Sequence, residues 1–167
     1  MDTRSHPRSK FAPQYDAEAL RKALEQACIE YIYMGKELGG RPEGAGFYDE
    51  DGRVFYSRVA ESSFFRKGLE RLKGAVQKFN LALLCSEENP SVCHRRLLIA
   101  RVLVARGMVV DHIRGDGSVQ SEERLLEQES TKNADTQLAL FEHTGISEWK
   151  SIPSVLPRKR LSNSSRS

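Results

Sequence analysis

The chain has 167 residues, 39% of them hydrophobic and 29% charged, which is enough for one domain with an apolar core and too little for two full domains. Residues 1–129 carry 20 Lys and Arg against 20 Asp and Glu, whereas residues 130–167 carry 6 against 3, so the net charge of +3 lies in the C-terminal segment. A neutral main body argues against a broad nucleic-acid-binding surface, although a local group of arginines could still hold phosphates.

The cysteine pattern and the short apolar runs predict a cytoplasmic protein. There are three cysteines, Cys28, Cys85 and Cys93, and the N-terminus lacks the charged and apolar regions of a secretory signal. We therefore expect reduced thiols and no structural disulfide. The apolar runs fall far below the roughly 20 residues of a membrane span, so no membrane partner is expected.

Segments with helical spacing of apolar residues alternate with short apolar runs. Helices are predicted at residues 16–28, 61–79, 90–107 and 119–129, and strands at residues 29–34, 80–85 and 108–113. Residues 35–56 contain six glycines and are predicted to form a long loop of the kind that often carries function. Asn89 is expected to cap the third helix, with Pro90 in its first turn and Gly107 at its end.

Alternation of strands and helices predicts a parallel sheet with right-handed crossovers and helices on both faces. The predicted fold class is α/β, a small Rossmann-like three-layer domain with a mostly parallel sheet over residues 1–129. Residues 1–3 would form a very short first strand, and we expect an N-terminal strand-helix unit to be missing before it. Residues 130–167 are rich in polar residues and are predicted to form a flexible, mostly disordered tail.

In an open parallel sheet the ligand site lies beyond the carboxyl ends of the strands, where polar residues of this chain concentrate. The residues predicted to bind a ligand there are Arg4, Ser5, Arg8, Gly39, Gly40, Arg41, Cys93 and Arg95, and the candidate catalytic residues are Cys85, Glu87 and His94. Arginines would bind anionic groups, and glycines would let the backbone approach a ligand closely. The alternative is that these loops are polar only because loops are exposed.

The stretch LLCSEENPSVCHRR, residues 83–96, places two cysteines eight positions apart. Zinc sites usually have closer cysteine pairs and redox pairs usually have the spacing C-x-x-C, so this spacing favours neither, and no metal is expected. A phosphatase-like loop is disfavoured by Glu87 and Glu88, which would repel a phosphate. Two interpretations stay open. Either the following helix start activates a thiol while Arg95 binds an anion, or both cysteines are buried apolar side chains beside arginine–glutamate ion pairs.

Four separated stretches lie in order between about residues 2 and 125, namely RSHPRSKFAPQYD, YIYMGKELGGRP, LLCSEENPSVCHRR and VVDHIRGDG. Together they resemble the bacterial family known as domain of unknown function 488. The resemblance implies a small α/β domain, preceded in the family by a strand and helix that open with a Gly-His-Ser-type stretch. It also implies that the motif residues cluster, and these are Arg4, Ser5, Pro7, Arg8, Pro13, Gln14, Gly39, Gly40, Arg41, Cys85, Glu87, Cys93, His94 and Arg95. It assigns no reaction and no cofactor, so the cofactor is unknown.

The predicted tail contains an apolar pentapeptide at residues 137–141. Its sequence, Gln137-Leu138-Ala139-Leu140-Phe141, is similar to the peptide with which bacterial repair and replication proteins bind the sliding clamp. The glutamine would supply hydrogen bonds, and the two leucines and the phenylalanine would fill an apolar groove. The alternative is that these apolar residues fold back onto the domain as a latch.

Two functional hypotheses of different classes remain. The first is a cytoplasmic bacterial enzyme or binding protein that acts on an anionic nucleotide or nucleic-acid-related ligand and is linked to DNA repair or replication. In it, Cys85 is a nucleophile or part of the pocket wall, and Glu87 or His94 transfers protons. The second is a non-catalytic binding or adaptor module of the repair or replication machinery.

Overall fold

The computed structural model describes residues 1–134 and 149–152. Its main helices are α1 (Ala17–Gln26), α2 (Gly35–Leu38), α3 (Tyr56–Glu61), α4 (Ser63–Val76), α5 (π-helical over Arg95–Ala100, then α-helical over Arg101–Val104) and α6 (Glu122–Ala134). Short 3-10 turns lie at Pro13–Tyr15, Ala45–Phe47 and Pro90–Val92. Within the described ranges no helix is long and apolar enough to cross a membrane.

The described part of the chain has one small sheet. Strands β1 (Asp111–Ile113) and β2 (Val119–Ser121) pair antiparallel, with His112 opposite Gln120. Within residues 1–134 and 149–152, parallel pairing is limited to two isolated bridges, in which Asp2 lies opposite Tyr33 and Leu84. The expectation of a Rossmann-like three-layer domain with a mostly parallel sheet is therefore wrong.

The predicted parallel strands fail because neither apolar run is covered on both faces. Parallel sheets are found with helices on both sides, which makes their strands fully buried. Here Ile29 and Leu84 are 53% and 37% exposed, so the runs 29–34 and 80–85 form extended connections with single bridges. Residues 119–121, predicted as the start of a helix, instead pair with β1.

Other predicted elements agree with the structure. The first helix is confirmed as α1, with Asp16 at its N-cap position. The α4 stripe is confirmed for Phe65, Leu69 and Leu72, which are almost fully buried, whereas Phe79 lies beyond the helix end and is 64% exposed. Because α4 ends at Val76, the last predicted turn does not reach the core.

The predicted helix 90–107 is interrupted at its first turn, and the interruption shapes the site. Asn89 accepts a hydrogen bond from the Ser91 amide at 3.0 Å, so it caps the single 3-10 turn that Pro90 opens and not the longer helix it was predicted to cap. Cys93 then has extended backbone angles, with φ −95° and ψ 135°, before α5 begins. Gly107, with φ +79°, ends this region as predicted, because a positive φ favours glycine.

Residues 149–152 pack on the domain, although the sequence places them in the predicted tail. Lys150 forms an antiparallel bridge with Phe55, and the Trp149 indole donates a hydrogen bond to the Leu97 carbonyl at 2.8 Å. The Trp149 ring also lies edge-on to the Tyr56 ring, and the Arg101 guanidinium carbon lies over it, 4.5 Å from the ring centroid. This segment therefore connects α3 to α5.

Candidate functional site

Two cysteines, a histidine and a glutamate converge where the extended connection 80–85 meets the start of α5. One ligand-type atom from each of Cys85, Glu87, Cys93 and His94 lies within 4.8 Å of the others, and we name these four residues the Cys-His-Glu cluster. The Cys85 thiol donates to Glu87 Oε2 at 2.6 Å and lies 3.2 Å from His94 Nδ1, while Cys93 Sγ lies 3.5 Å from the same carboxylate oxygen. The sequence-predicted catalytic residues are thus brought together with Cys93.

The His94 ring has a defined orientation. Its Nε2 lies 3.2 Å from the Thr3 carbonyl oxygen, and because a carbonyl can only accept, Nε2 carries a proton. Its Nδ1 lies 3.2 Å from the Cys85 sulfur. With the residue only 8% exposed, these two contacts hold the imidazole in place rather than leaving it free to rotate.

The Gly39-Gly40 pair holds the backbone against this ring. A Cβ on Gly40 would come within 2.6 Å of His94 Cγ, and a Cβ on Gly39 within 2.5 Å of Ser5 Oγ. The Ser5 hydroxyl in turn accepts a hydrogen bond from the Arg41 amide at 3.0 Å. The glycines were predicted to let the backbone approach a ligand closely. In the structure they let it approach the side chains of His94 and Ser5.

Protons are distributed unequally over the Cys-His-Glu cluster. A hydrogen bond to Cys93, together with burial, raises the pKa of the Cys85 thiol far above its usual value. The Cys93 thiolate can accept the single Cys85 S–H in place of Glu87, and this hydrogen bond, with a further one from the Arg95 amide, lowers the pKa of Cys93 despite its burial. Burial alone would raise the pKa of Glu87, but hydrogen bonds from the thiols lower it. In the metal-free protein Cys85 is therefore a proton donor rather than a ready thiolate.

Arg95 brings a cation to the cluster. Its backbone amide lies 3.4 Å from Cys93 Sγ, and the charge of its guanidinium helps to lower the pKa of that thiol. Its Nη2 atom is buried and has no hydrogen-bond partner. Every other buried side-chain nitrogen or oxygen of the described residues has one. Buried polar groups normally find partners, so this nitrogen marks a place where a ligand group could bind.

Arg4, predicted to bind a ligand, is committed to a structural ion pair. Its guanidinium donates to both oxygens of Asp2 at 2.6–3.1 Å and to the Tyr15 carbonyl at 2.9 Å. Burial alone would raise the pKa of Asp2, but hydrogen bonds from Arg4 and Tyr31 lower it. Sequence reasoning missed Asp2, although its i, i+2 spacing from Arg4 places both side chains on one face of an extended segment.

The remaining predicted ligand-binding residues divide into two groups. Ser5 and the backbone of Arg41 lie beside the glycine pair and hence near His94. Arg8 is exposed and lines a separate surface depression with Asp16 and Arg21. Pro13 and Gln14, which the family resemblance added to the cluster, are exposed in the first 3-10 turn.

A second buried charge network lies on the other side of α5. Arg96 donates through Nε to Glu122 at 2.9 Å and through its terminal nitrogens to Glu129 at 2.7 and 2.9 Å. His112 Nε2 lies 2.6 Å from Glu122 as well. The sequence suggested that the arginines and glutamates of residues 83–96 pair with one another. Instead Arg96 pairs with Glu122 and Glu129, and Glu88 pairs with Arg114.

The candidate clamp-binding residues Gln137, Leu138, Leu140 and Phe141 lie outside the described residues. All three cysteines lie within the described ranges and are free thiols. Cys28 is exposed and far in sequence from the cluster, whereas Cys93 has no exposed surface. Cys28 is thus a natural control for experiments on the other two.

The protein is thus of the class of small, mainly helical domains, and it has one site in which two thiols, an imidazole and a carboxylate meet. The family model described as "Domain of unknown function DUF488" matches residues 1–102, and the chain belongs to this family. The family resemblance inferred from the motifs is thereby confirmed, although the match ends before the stretch VVDHIRGDG. No curated protein and no solved structure matches the chain.

Proposed function

We propose that this protein is an enzyme that binds an anionic nucleotide or nucleic-acid-related ligand beside the Cys-His-Glu cluster. The observation that carries the proposal is the buried Nη2 of Arg95, which has no hydrogen-bond partner among the described residues. A guanidinium binds phosphate or carboxylate oxygens through paired N–H donors, and a buried N–H group without a hydrogen-bond partner is costly. An anionic group at this position would remove that cost.

The start of α5 supports the same assignment. Arg95 is the first residue of the helix, and the amides of Arg95, Arg96 and Leu97 already donate to the sulfur or the carbonyl of Cys93. The helix dipole at this end still favours negative charge, although the effect alone would not define a site. The buried Nη2 of Arg95 and the helix dipole therefore favour the same sign of ligand charge.

The reactive groups belong to the same cluster as Cys93, which Arg95 contacts through its amide and influences through its charge. His94 Nδ1 and the Glu87 carboxylate both face the Cys85 sulfur, and an imidazole or a carboxylate placed here can transfer protons to or from a bound ligand. Cys85 keeps its own proton and acts as a donor, which makes the nucleophile role predicted for it less favourable in the metal-free protein. The proposal therefore rests on Arg95 for binding and on His94 and Glu87 for proton transfer.

Ligand binding tests the proposal. Nucleoside mono-, di- and triphosphates and inorganic phosphate are titrated into the full-length protein by calorimetry, in parallel with Arg95→Gln. We expect at least one nucleotide to bind and Arg95→Gln to weaken it about 10-fold or more, since hydrogen bonds to charged groups contribute about 1.5–3 kcal/mol. Arg106→Gln, at an exposed arginine paired with Glu70, is the control and should bind like wild type.

The proposal is overturned if no anionic ligand binds the wild-type protein, or if Arg95→Gln and Arg106→Gln bind equally well. Absence of binding would favour the second hypothesis, a non-catalytic adaptor module. Circular dichroism of both variants shows that a loss of binding does not come from unfolding.

We also propose a link to DNA repair or replication through residues 137–141, which would bind a bacterial sliding clamp. The support is the sequence Gln-Leu-Ala-Leu-Phe alone. The full-length protein should bind purified clamp, and Leu138→Ala combined with Phe141→Ala should abolish binding, because the apolar anchors supply most of the contact. Leu126→Ala, at an exposed leucine of α6, is the matched control. If the wild-type protein fails to bind clamp, the link is wrong.

A further inference from the structure

The Cys-His-Glu cluster combines ligand types that bind a transition metal. Two thiols, one imidazole and one carboxylate offer one atom each, and all four atoms lie within 4.8 Å of one another. Tetrahedral zinc with bonds of about 2.0–2.3 Å requires ligand atoms roughly 3.3–3.8 Å apart. The distances of 3.2 Å from Cys85 Sγ to His94 Nδ1 and 3.5 Å from Cys93 Sγ to Glu87 Oε2 are close to that range. The 2.6 Å hydrogen bond between Cys85 Sγ and Glu87 Oε2 is shorter, and the exposed Glu87 side chain has to move outward by roughly 1 Å for both atoms to bind one ion.

We propose that Cys85, Cys93, His94 and Glu87 bind one Zn²⁺ ion. This inference concerns the same site as the proposed function, but it does not depend on the anionic ligand. In the zinc-bound protein His94 and Glu87 are metal ligands, so the proton transfer proposed for them belongs to the metal-free form. The residue spacing disfavours zinc because Cys85 and Cys93 are eight positions apart. The break between the 3-10 turn and α5 brings the two sulfurs together all the same, because Cys93 is extended and turns back toward residue 85.

The surroundings of the cluster support a metal in two further ways. A metal-binding imidazole usually donates its other N–H to a carbonyl or carboxylate, and His94 does so to the Thr3 carbonyl, leaving Nδ1 free for the ion. The Arg95 amide lies 3.4 Å from Cys93 Sγ and would stabilise a coordinated thiolate there.

The exposure of the four ligand residues shows which of them would face the protein interior and which would face solvent when the ion is bound. Cys93 has no exposed surface and Cys85 is half-buried, whereas Glu87 is exposed. The two thiols and the imidazole therefore form the inner side of the site, and the carboxylate closes it toward solvent. When the ion binds, each coordinating thiol gives up its proton to solvent and the sulfur donates an electron pair to Zn²⁺. No oxidant or other reactant is required.

Metal titration of the full-length protein tests the proposal. The protein is stripped with a chelator and titrated with Zn²⁺ alone, and separately with Co²⁺. We expect one ion per chain, together with thiolate-to-cobalt charge-transfer absorption and the intense visible bands of tetrahedral cobalt. Cys85→Ser and Cys93→Ser should each weaken Zn²⁺ binding by about 100-fold or more, since even changes behind the ligands weaken metal affinity by 10–100-fold.

Cys28→Ser is the matched control, because Cys28 is an exposed free thiol outside the cluster, and it should bind like wild type. Glu87→Gln tests the site even if Cys93→Ser does not fold, because Glu87 is exposed and its replacement should leave the fold intact. This variant should bind Zn²⁺ more weakly, while the cobalt–thiolate absorption persists. The proposal is wrong if wild-type protein binds no stoichiometric ion, if cobalt shows no thiolate absorption, or if Cys85→Ser binds like Cys28→Ser.

Because the titration contains no nucleotide and the calorimetry of Arg95→Gln reads only nucleotide binding, the two proposals fail separately. A protein that binds Zn²⁺ but no nucleotide retains the metal site and loses the proposed function. A protein that binds nucleotide but no Zn²⁺ retains the proposed function and loses the metal site.

Discussion

At the scale of single residues, Gly40 is a position at which any side chain would disturb the site directly. The absence of a side chain lets this backbone lie against the imidazole of His94, which fixes the direction of Nδ1 toward Cys85. The glycine is required by the close approach of a ring, since no positive φ is recorded at this position.

Gly40→Ala should therefore displace His94. A Cβ 2.6 Å from a buried ring carbon must move the ring or the loop, at a cost of about 1–3 kcal/mol in the free energy of unfolding. Gly74→Ala is the control, because a Cβ there meets nothing within 4 Å inside α4, and alanine should stabilise the helix by about 0.5–1 kcal/mol. Urea denaturation measures both, and equal effects of the two variants would contradict the argument.

The two thiols of the cluster should titrate in a fixed order in metal-free protein. Cys93 has the lowered pKa because its thiolate can accept the Cys85 S–H that otherwise points to Glu87, so Cys85→Ala should raise the pKa of Cys93. Thiolate absorbance is followed against pH in a Cys28→Ser background, which removes the exposed thiol. If the pKa of Cys93 falls or stays the same in Cys85→Ala, the hydrogen bond does not control it.

At the scale of elements, α6 is fastened to α5 and β1 by buried charges. Arg96 is 5% exposed at its side chain and bridges Glu122 and Glu129, while His112 contacts the same Glu122 carboxylate. Burial alone would raise the pKa of Glu122, but hydrogen bonds from His112 and Arg96 lower it below the ordinary value of 4.5. Since a buried cation without its partner is costly, this network ties the position of α6 to α5.

Glu122→Gln should destabilise the protein at neutral pH by about 3 kcal/mol, because it leaves Arg96 without its most buried partner. A carboxyl with a lowered folded-state pKa contributes stability above its unfolded pKa and loses it as pH falls through the folded value. The difference between wild type and Glu122→Gln should thus be full above about pH 4.5 and shrink in more acidic solution. Thermal unfolding from pH 2 to 7 measures it.

Glu88→Gln is the control for this prediction, because Glu88 forms an exposed pair with Arg114. Exposed ion pairs contribute little, so this variant should change the unfolding midpoint only slightly. A pH-independent loss of stability in Glu122→Gln would show that shape rather than charge holds α6 in place.

At the scale of the whole molecule, residues 149–152 join parts that are distant in sequence. Trp149 is the single tryptophan of the chain, and it contacts α3 through Tyr56 and α5 through Leu97 and Arg101. Ser151 adds a backbone hydrogen bond to the Val54 carbonyl at 2.8 Å. The segment therefore acts as a strap across the face of the core.

Trp149→Ala should lower the free energy of unfolding by about 3 kcal/mol, the low end for loss of a large aromatic, because the ring is only half-buried. Trp149→Phe should cost less, about 1 kcal/mol, from the lost indole hydrogen bond to Leu97. Urea unfolding followed by circular dichroism gives both values. Wild-type-like stability of Trp149→Ala would mean that the strap does not contribute to the fold.

Local signals in the sequence were sufficient for several elements and residues of the site. Local sequence patterns predicted the apolar stripe of α4, the cap at Asn89, the terminating glycine at residue 107 and the family motifs. Each of these depends on residues close together in the chain, so it can be predicted without the tertiary structure. Short apolar runs cannot be read in this way, because a run of five or six residues fits a buried strand or an exposed connection equally well. The predicted parallel sheet failed at these runs.

The residue types of the site were set by the sequence, but their partners were decided by the tertiary structure. Cys85, Cys93 and His94 were recognisable as reactive side chains, yet only the extended backbone at Cys93 and the close packing of Gly40 show that their atoms meet. Arg4 and Arg95 are both arginines in family motifs, and only the fold pairs one with Asp2 and leaves a nitrogen of the other without a partner. Charge pairing and metal geometry depend on distances between segments, and spacing along a chain does not fix those distances.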